Sequence, residues 1–576
     1  MRNMNTRRLD GCLALVMGAV GLWIAQHDVQ AADFSLPCLE KSGAATRLIV
    51  DGQPFIMLSG ELHNSTSSSL EYLKPIWPKL DALNLNSVIA SISWELVEPE
   101  EGKFDFALVD GIIEAARQHQ QRLVFIWFAT WKNGDGAYTP AWVKTNWTRF
   151  PRCHHRPGVN TTQLTALADE NVKADAKAFA AVMRHIRQVD GRRRTVVMMQ
   201  VQNESGVMPV SRDHSPLAED AFAKPVPAEL MKYLIALKDT LIPDLKEVWA
   251  RTNFRESGTW AEVFGESENG KSLTRVETVT PSAPSPQPSP PMGEREKSNR
   301  VMGNPAADEV FQAWFIGRYI GRVAAAGKAE YALPMYVNAW LVQDKGQKPG
   351  QYPSGGPVAK MMDVWRAAAP AIDLLAPDIY LDDFKAVCAE YTQSGNPLFI
   401  PEASRDERAG LRAYYAIGHH HALGFAPFGI DSLAETNALR DHYAVLKNLL
   451  PLLGRHLGQD TLQGFMQYRE EKKAEFEIGD IRADIDYRPD ESGKPGAGLV
   501  VATAPDTFVM AGVNYSIRFG GTRAKPGSTA WLAIEEGVFR DGQWVPGRRL
   551  NGDEASYKVN LGPKPRILMG KVYRFP

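Results

Sequence analysis

Two glutamates stand at the ends of short apolar runs, and both could carry out acid–base chemistry. Glu204 ends the run "MMQVQNE" directly after Asn203, and Glu402 ends the run "PLFIPE". A glutamate at the end of a buried strand is costly to bury unless it has a partner or a chemical role. Cleavage of a glycosidic bond needs such a pair, in which one carboxyl group protonates the leaving oxygen and the other attacks the sugar carbon or activates water.

The elements that must position these glutamates are apolar runs that alternate with amphipathic stretches. Continuous apolar strands separated by helices predict a parallel sheet that is buried on both faces. Eight such units over roughly 400 residues predict an α/β fold, a (β/α)8 TIM barrel. An open doubly wound sheet is the alternative, but the first predicted strand is not followed by the glycine-rich phosphate loop typical of that fold. The predicted strands are residues 53–62, 86–94, 122–131, 194–204, 331–341, 371–381, 397–404 and 422–431.

In this barrel, side chains at the carboxyl ends of the strands meet at one mouth. Glu204 ends the fourth predicted strand and Glu402 the seventh, so we expect them to face each other. Glu61, at the end of the first strand, and Glu98 either bind hydroxyl groups or pair with arginine. An ion pair with arginine explains a single strand-end glutamate well, but it explains two on opposing strands less well.

The surroundings of the two glutamates resemble the acid/base and nucleophile strands of retaining (β/α)8 glycosidases. Within that superfamily the chain resembles glycoside hydrolase family 35, the β-galactosidases, over about residues 45 to 450. "GELHNS" is similar to that family's first-strand Gly-Glu-x-His, and "SWELVEPEEGKFDF" to its Trp-x-x-x-Glu-Pro-x-x-Gly-x-x-Asp-Phe stretch. "ATWKNGDGAYTPAWV" is similar to its third-strand loop, which ends in Pro-Ala-Trp.

The resemblance implies a role for each matched residue. Glu204 would be the acid/base, Glu402 the nucleophile, and Asn203 the hydrogen-bond partner of the sugar 2-hydroxyl. A retaining mechanism places the two carboxyl groups about 5 to 5.5 Å apart. Ionised Glu402 would raise the pKa of Glu204 in a partly desolvated site. The mechanism needs no metal and no organic cofactor.

The predicted function is therefore a retaining exo-glycoside hydrolase, β-galactosidase-like, that cleaves terminal β-linked sugars from oligosaccharides or polysaccharides by double displacement. Another β-glycosidase activity on the same barrel is one alternative. A non-catalytic carbohydrate-binding protein is another, and it would predict the loss of Glu204 or Glu402. Two departures from the family bear on the sugar, because Gln202 and Thr130 stand where the family has glutamate.

Further candidate substrate-binding residues lie at or near the predicted strand ends. Asn338 is a polar candidate, because a buried amide must be satisfied and a sugar hydroxyl would do so. Aromatic side chains there either stack on a sugar ring or pack in the core. They are Trp94, Trp131, Tyr336, Trp340 and Tyr380. The runs "GHHHA" and "RCHHR" lack the two-helical-turn spacing of a zinc site, so we predict no metal.

The composition is that of an ordinary globular protein, with 576 residues, 44% hydrophobic and a formal net charge of −2. This charge gives no reason to expect a nucleic acid partner. Arginines before the apolar run 11–25 predict a signal peptide over residues 1–32, and hence a secreted or periplasmic protein. The run is too short to span a bilayer, so we expect no membrane insertion after cleavage. A homo-oligomer is compatible with this sequence.

The predicted barrel covers residues 33–455, with a disordered Pro/Ser-rich insert at about 280–302. Alternating strands and turn clusters over 456–576 predict a smaller all-β region that resembles a sandwich. After signal removal the cysteines are Cys38, Cys153 and Cys388. One disulfide with an odd thiol and three unpaired thiols are both open.

Overall fold

The computed structural model describes residues 36–136, 138–265, 305–555 and 557–575. The predicted signal peptide and the Pro/Ser-rich insert lie outside the described residues. Residues 36 to 576 belong to one compact unit. None of the helices within the described ranges is both long enough and apolar enough to cross a membrane.

Eight parallel strands form the central sheet, each pairing with its neighbour along the chain. A parallel bridge between Ile400, two residues before the seventh strand, and Phe425 of the eighth closes the ring. The predicted (β/α)8 barrel is confirmed, and each strand lies within its predicted run. The strands are β1 Met57–Glu61, β2 Ser87–Ser93, β3 Arg122–Phe128, β4 Val196–Val201, β5 Met335–Trp340, β6 Leu374–Ile379, β7 Glu402–Ala403 and β8 Gly424–Phe425.

Helices surround the barrel, and their apolar faces pack on the outer side of the strands. In the helix Asp169–Asp190, for example, two acidic residues in the first turn favour the helix start, and one apolar face is buried. The longer helices are Ala107–Gln118, Asp169–Asp190, Pro305–Glu330, Ala409–His420 and Ala438–His456. The shorter ones are Leu70–Leu73, Trp77–Ala82, Trp94–Val97, Ala141–Lys144, Pro216–Phe222, Ala228–Ala236, Pro243–Ala250, Trp260–Phe264, Met362–Ala368 and Phe384–Tyr391.

The barrel interior is filled by apolar side chains from alternating strand positions, including Met57, Ile126 and Phe399. Leu48 and Val50 join the same cluster from a small antiparallel sheet before β1. This sheet therefore helps to fill the barrel at the end away from the strand carboxyl termini. Its strands are Cys38–Ser42, Ala45–Val50 and Gln53–Pro54, and a separate hairpin after β3 consists of Arg152–Arg156 and Val159–Leu164.

Two antiparallel sheets follow the barrel and enclose a second apolar cluster, which includes Phe465, Ile517 and Leu568. The predicted all-β character of this region is confirmed. One sheet has the order Leu462–Met466, Ala497–Ala504, Thr507–Val513, Arg566–Phe575, Ser528–Arg540 and Gln543–Arg549. The other has the order Lys473–Ile478, Ile481–Tyr487, Tyr515–Gly521 and Val559–Asn560.

The all-β region packs directly against the last two barrel helices. Gly418 of Ala409–His420 touches Gly464 of the first all-β strand so closely that a Cβ on Gly418 would lie 2.6 Å from the Gly464 Cα. Asn448 of Ala438–His456 exchanges two hydrogen bonds with the Phe539 backbone, at 2.7 and 2.8 Å. The first contact brings two backbones together, and the second joins a helix side chain to a strand backbone.

Two ion pairs connect the all-β region with loops at the carboxyl end of the barrel. Arg469 pairs with Asp383 at 3.1 Å, in the segment after β6. Lys494 pairs with Glu407 at 3.2 Å, in the segment after β7. Both pairs are exposed, so each contributes little to the free energy of folding, but they mark where the two regions meet.

The cysteines Cys38, Cys153 and Cys388 are unpaired in the structure. Cys38 is exposed, and the other two are buried. Of the two arrangements that the sequence left open, the structure therefore has the three free thiols.

We predict that Gly418→Ala weakens the contact between the two regions. The new methyl group must displace the Gly464 backbone, and such overpacking costs about 1 to 3 kcal/mol, partly offset by the higher helix propensity of alanine, about 1 kcal/mol. Urea unfolding should therefore show a lower free energy of unfolding.

Gly346→Ala is the matched control, because the nearest atom to its new methyl group, Asp344 Oδ1, lies 3.5 Å away. We expect its free energy of unfolding to stay within about 0.5 kcal/mol of the parent. Equal losses in the two variants would contradict the close contact at Gly418.

Candidate active site

Glu204 lies in a strained turn directly after β4. Gln202 and Glu204 have φ values of 68° and 44°, in the left-handed region that non-glycine residues rarely adopt. The Glu204 backbone N–H donates to Asn338 Oδ1 at 3.0 Å, and the Glu204 carbonyl accepts from the Gly134 N–H at 3.0 Å. Gly206 then leaves the turn with a φ of 154°, where a Cβ would meet Pro353 at 2.4 Å. Only glycine fits at this position.

Glu402 begins β7 and is 6% exposed. The Tyr380 hydroxyl donates to Glu402 Oε1 at 2.5 Å. Glu402 Oε2 is buried and has no hydrogen-bond partner among the residues that the structure describes. One oxygen of this carboxyl group is therefore fixed, while the other is free to contact a ligand.

The two predicted carboxyl groups meet at the barrel mouth, together with a third. Glu204, Asp378 and Glu402 each place one carboxyl oxygen within 4.8 Å of the others. Oxygens within this limit fit the carboxyl spacing of about 5 to 5.5 Å in retaining glycosidases better than the 6.5 Å or more of inverting ones. Within the described residues, these three carboxyl groups are also the set whose oxygens could ligate a cation.

Burial and mutual repulsion shift the pKa values of these acids. Burial and the charge of Glu402 raise the pKa of Glu204, the charge of Lys132 and the nearby Asp378 side chain lower it, and the pKa lies at about 7. Burial also raises the pKa values of Glu61 and Asp378 well above the ordinary range. Burial therefore favours the protonated forms of Glu61, Glu204 and Asp378.

Lys132, in the loop after β3, was missed by the sequence reasoning. Its Nζ donates to Asn203 Oδ1 at 2.6 Å, so the Asn203 Nδ2, which is buried without a partner, is left as a donor for a ligand. Burial lowers the pKa of Lys132, but the charges of Glu204, Glu402 and Glu61 outweigh this, and the pKa is raised. Its position directly after Trp131, in the loop of a predicted strand end, was the available signal.

Glu61 also lies at the mouth, at the end of β1, while Tyr336 lies near the start of β5 in the barrel interior. Among the described residues, both Glu61 oxygens and the Tyr336 hydroxyl are buried without hydrogen-bond partners. Burial raises the pKa of Tyr336, and the charge of Glu61 raises it further. Asn338 lies beside them, but the protein already engages its amide. Its Oδ1 accepts from Gln200 Nε2 at 2.9 Å and from Glu204, and its Nδ2 donates to Asp378 Oδ2 at 2.7 Å. Asn338 thus positions other site residues. The sequence had suggested instead that its amide binds a sugar hydroxyl.

The structure does not bring all the candidate aromatic residues to the carboxyl groups. Trp94 is fully buried, and its Nε1 donates to Glu98 Oε2 at 2.8 Å, so these two residues serve the packing of the loop after β2. Trp131 is also buried, edge-on to Tyr319, although its Nε1 has no partner.

The remaining two aromatic candidates lie closer to the carboxyl groups. Trp340 ends β5, opposite Asp378 in the strand register, and is half-buried. Tyr380 is 47% exposed while its hydroxyl reaches Glu402, so its ring forms part of the open rim. Both rings are therefore placed where a bound sugar could contact them.

The two departures at Gln202 and Thr130 belong to one buried network behind the site. Gln202 Nε2 and Thr130 Oγ1 each donate to Asp175 Oδ2 at 2.8 Å. Gln202 Oε1 accepts from the Thr130 and Trp131 backbone N–H groups. Burial raises the pKa of Asp175 to about 6, and these donors oppose the rise. The two side chains thus support the loop that carries Lys132.

Comparison with known proteins gives two family matches. Residues 72–267 match the family model of glycoside hydrolase family 42, described as β-galactosidase, and residues 439–562 match a domain of unknown function, DUF5597. The matched family is family 42, not family 35. The resemblance to β-galactosidases is confirmed and the family number is corrected, because the two families belong to one clan and the strand-end motifs do not separate them.

Individual relatives are also β-galactosidases. One from Xanthomonas manihotis is 28% identical over 182 residues, which are 30% of this chain and 27% of that protein, so the chain spans little more than a quarter of its length. The structure of a catalytic mutant of a GH42 β-galactosidase from G. stearothermophilus has a TM-score of 0.47 at 10% identity, covering 90% of this chain and 98% of that one. The β-galactosidase from Bacillus circulans sp. alkalophilus has a TM-score of 0.47 at 12% identity, covering 89% and 99%.

We predict that Gln202→Glu destabilises the protein because it replaces the donor to Asp175 with a second buried carboxyl group. The loss should reach about 3 kcal/mol above the pKa of Asp175 and be smaller below it, where the two acids share a proton. Urea unfolding on both sides of that pKa measures the difference.

The double variant Gln202→Glu/Asp175→Asn restores a donor and acceptor pair and serves as the control. We expect it to recover much of the lost free energy of unfolding and most of the pH dependence. A single variant Gln202→Glu with parental stability at both pH values would contradict the role assigned to this network.

Proposed function

We propose that the protein is a retaining glycoside hydrolase that removes terminal β-linked sugars, β-galactosyl groups first of all, from oligosaccharides or polysaccharides. One observation carries this proposal. Glu204, directly after β4, and Glu402, at the start of β7, have carboxyl oxygens within 4.8 Å of each other and lie in different surroundings. The match to the β-galactosidase family over residues 72–267 supports the sugar.

Glu204 acts as the acid/base in this proposal. A pKa of about 7 keeps it protonated in a large share of molecules near neutral pH, yet allows it to release the proton readily. Glu402 Oε2, which has no partner in the protein, attacks the anomeric carbon while Tyr380 holds Oε1. The bond from that carbon to the leaving oxygen breaks as Glu204 protonates the oxygen, and a glycosyl ester on Glu402 forms.

In the second step Glu204 acts as a base, whereas in the first it acts as an acid. Once Glu402 is an ester, its negative charge is gone, and the repulsion that raises the pKa of Glu204 is removed. Ionised Glu204 then accepts a proton from water, and the water oxygen attacks the anomeric carbon. The bond to Glu402 breaks, which restores its carboxylate and leaves the sugar with its original configuration.

Polar atoms without partners indicate how the sugar is held. Burial raises the pKa of Glu61 and so favours its protonated form, which both donates to and accepts from hydroxyl groups. Asn203 Nδ2 and the Tyr336 hydroxyl are further buried atoms that a sugar would satisfy. Another β-glycosidase activity would use the same atoms. A carbohydrate-binding protein without activity would not need two strand-end carboxyl groups close to each other, and this chain has both.

The N-terminal sequence supports the further proposal that the protein is exported, to the periplasm or outside the cell. Arginines precede the apolar run 11–25, and small residues follow it. Cell fractionation with N-terminal sequencing of the mature chain tests this part separately.

We predict that Glu402→Gly and Glu204→Gly lower the turnover of a nitrophenyl β-galactoside by at least about three orders of magnitude, and that azide rescues each in a different way. In Glu402→Gly, azide replaces the nucleophile and gives a glycosyl azide of inverted configuration. In Glu204→Gly, azide attacks the glycosyl ester and gives a product of retained configuration.

Nuclear magnetic resonance of the azide products distinguishes the two outcomes. Glu98→Gln is the control, since Glu98 binds Trp94 and the Gly102 backbone away from the reacting carboxyl groups. Parental rates in either glycine variant would remove that residue from the mechanism. If a glucoside, fucoside or arabinoside is cleaved in place of the galactoside, the mechanism stands and the sugar is reassigned.

We predict that kcat/KM falls as the pH rises through about 7, because the acid must be protonated and the pKa of Glu204 lies there. Lys132→Met should move this alkaline limb to higher pH, since the lysine charge lowers that pKa. It should also raise KM, because Asn203 loses its fixed orientation.

Lys144→Met is the matched control, because Lys144 pairs with Glu95 at 2.7 Å on a helix of the same loop. Its alkaline limb should coincide with that of the parent. A downward shift in Lys132→Met would contradict the electrostatic role of Lys132.

A further inference from the structure

A third buried acid, Asp378, lies between the two reacting carboxyl groups. It occupies β6, is 2% exposed, and pairs with Glu402 in the strand register. Its carboxyl oxygen lies within 4.8 Å of those of Glu204 and Glu402. The reaction as described above gives it no part, although an acid buried at such a place must be compensated.

The contacts of Asp378 indicate that it carries a proton. Asn338 Nδ2 donates to Asp378 Oδ2 at 2.7 Å, while Oδ1 has no donor in the protein. A carboxyl oxygen of Glu204 nevertheless lies within 4.8 Å of a carboxyl oxygen of Asp378. Two buried carboxyl groups this close are stable side by side when one of them is protonated, because two carboxylates repel each other.

The local charge balance points the same way. Glu61, Glu204, Asp378 and Glu402 converge at the mouth, and Lys132 is the partly buried cation whose charge acts on the first three. Four ionised carboxylates against this lysine would leave three uncompensated negative charges in a largely buried site. Such a site takes up protons instead. An ionised nucleophile balances the lysine when the other acids are neutral.

We propose that Asp378 remains a neutral carboxylic acid through the catalytic cycle and donates its O–H group to the carboxylate that Glu204 becomes. It also accepts from Asn338, whose Oδ1 in turn binds the Glu204 backbone N–H. Asp378 is thus a positioning residue that acts on both the side chain and the backbone of Glu204. This inference rests on the proposed role of Glu204 as acid/base.

The surroundings of Asp378 support this protonation state. Burial raises the pKa of Asp378 well above its ordinary range, the charges of Glu402, Glu204 and Glu61 raise it further, and Lys132 opposes them. Titratable groups face it from every neighbouring strand. They are Glu61 at the end of β1, Lys132 after β3, Glu204 after β4, Tyr336 on β5, Tyr380 after β6, Glu402 on β7 and Tyr391 on helix Phe384–Tyr391.

Asp378→Asn tests the inference by the sign of a shift in the pH profile of kcat/KM. If Asp378 is neutral, the amide is a weaker donor than the acid, so ionised Glu204 is less stabilised. The alkaline limb then moves up by about half a unit to one unit. If Asp378 is ionised, the substitution removes a nearby negative charge, and the limb moves down by about one unit or more. A downward shift, or no shift, overturns the proposal.

Asp363→Asn is the matched control. Asp363 is also 2% exposed and also accepts a hydrogen bond, from the Ile242 backbone N–H at 2.7 Å, but it lies on helix Met362–Ala368. Its alkaline limb should coincide with that of the parent. If Asp378→Asn does not fold, Asp378→Ser replaces it, since serine keeps a weak O–H donor and the same upward shift is expected.

An infrared titration separates this inference from the proposed function, because it needs no turnover. Chains labelled with carbon-13 aspartate should show the carbonyl band of a protonated aspartate at a pH of about 8, where ordinary aspartates are ionised and Asp175, with a pKa of about 6, is ionised too. The band should disappear in Asp378→Asn and persist in Asp363→Asn. Its persistence in Asp378→Asn overturns the inference. Turnover and an alkaline limb that survive in Glu204→Gln overturn the role of Glu204 instead, whatever the infrared result.

Discussion

The hydrogen bond from the Glu204 backbone N–H to Asn338 Oδ1 is the contact on which the site depends. It joins the end of β4 to β5 and holds a turn in which Gln202 and Glu204 both have positive φ values. Such backbone conformations persist only where the surroundings over-determine them. Here the barrel supplies that constraint, since β5 is fixed in register on both sides and Asn338 is fixed in turn by Asp378. The rigid ring of strands is therefore what makes a strained carboxyl position stable.

The same ring of strands places two chemically identical side chains, Glu204 and Glu402, in different surroundings. Glu402 has one oxygen bound to a partly exposed tyrosine, whereas Glu204 is surrounded by other acids and has a pKa of about 7. Lys132 keeps the combined repulsion from becoming prohibitive, and at the same time it turns the Asn203 amide toward the mouth. One cation thus serves both the charge balance and the geometry. This economy follows from the small volume in which the carboxyl ends of the strands converge.

Much of the fold followed from the sequence because its signals are local. Each of the eight strands lies within a predicted apolar run, and Glu204 and Glu402 do meet at the mouth. The partners of these residues could not be predicted in the same way, because they come from distant parts of the chain. Asp378 gave no local signal in "PDIYL", and Lys132 resembled an ordinary loop lysine. Gln202 and Thr130 looked like changes in sugar recognition, but Asp175, on a helix between β3 and β4, draws both away from the mouth.

The close contact between Gly418 and Gly464 bears on the modularity of the chain. Ten consecutive residues of helix Ala409–His420, from Ala409 to Gly418, are buried, so this helix has no free face. A barrel cut off before Leu462 would expose a helix whose sequence is suited to an interior. The matched domain of unknown function begins at residue 439, inside the final barrel helix Ala438–His456, and thus already contains part of the catalytic scaffold. The two regions differ in fold, yet they share a helix. Transferring either region alone into another protein would therefore leave both incomplete.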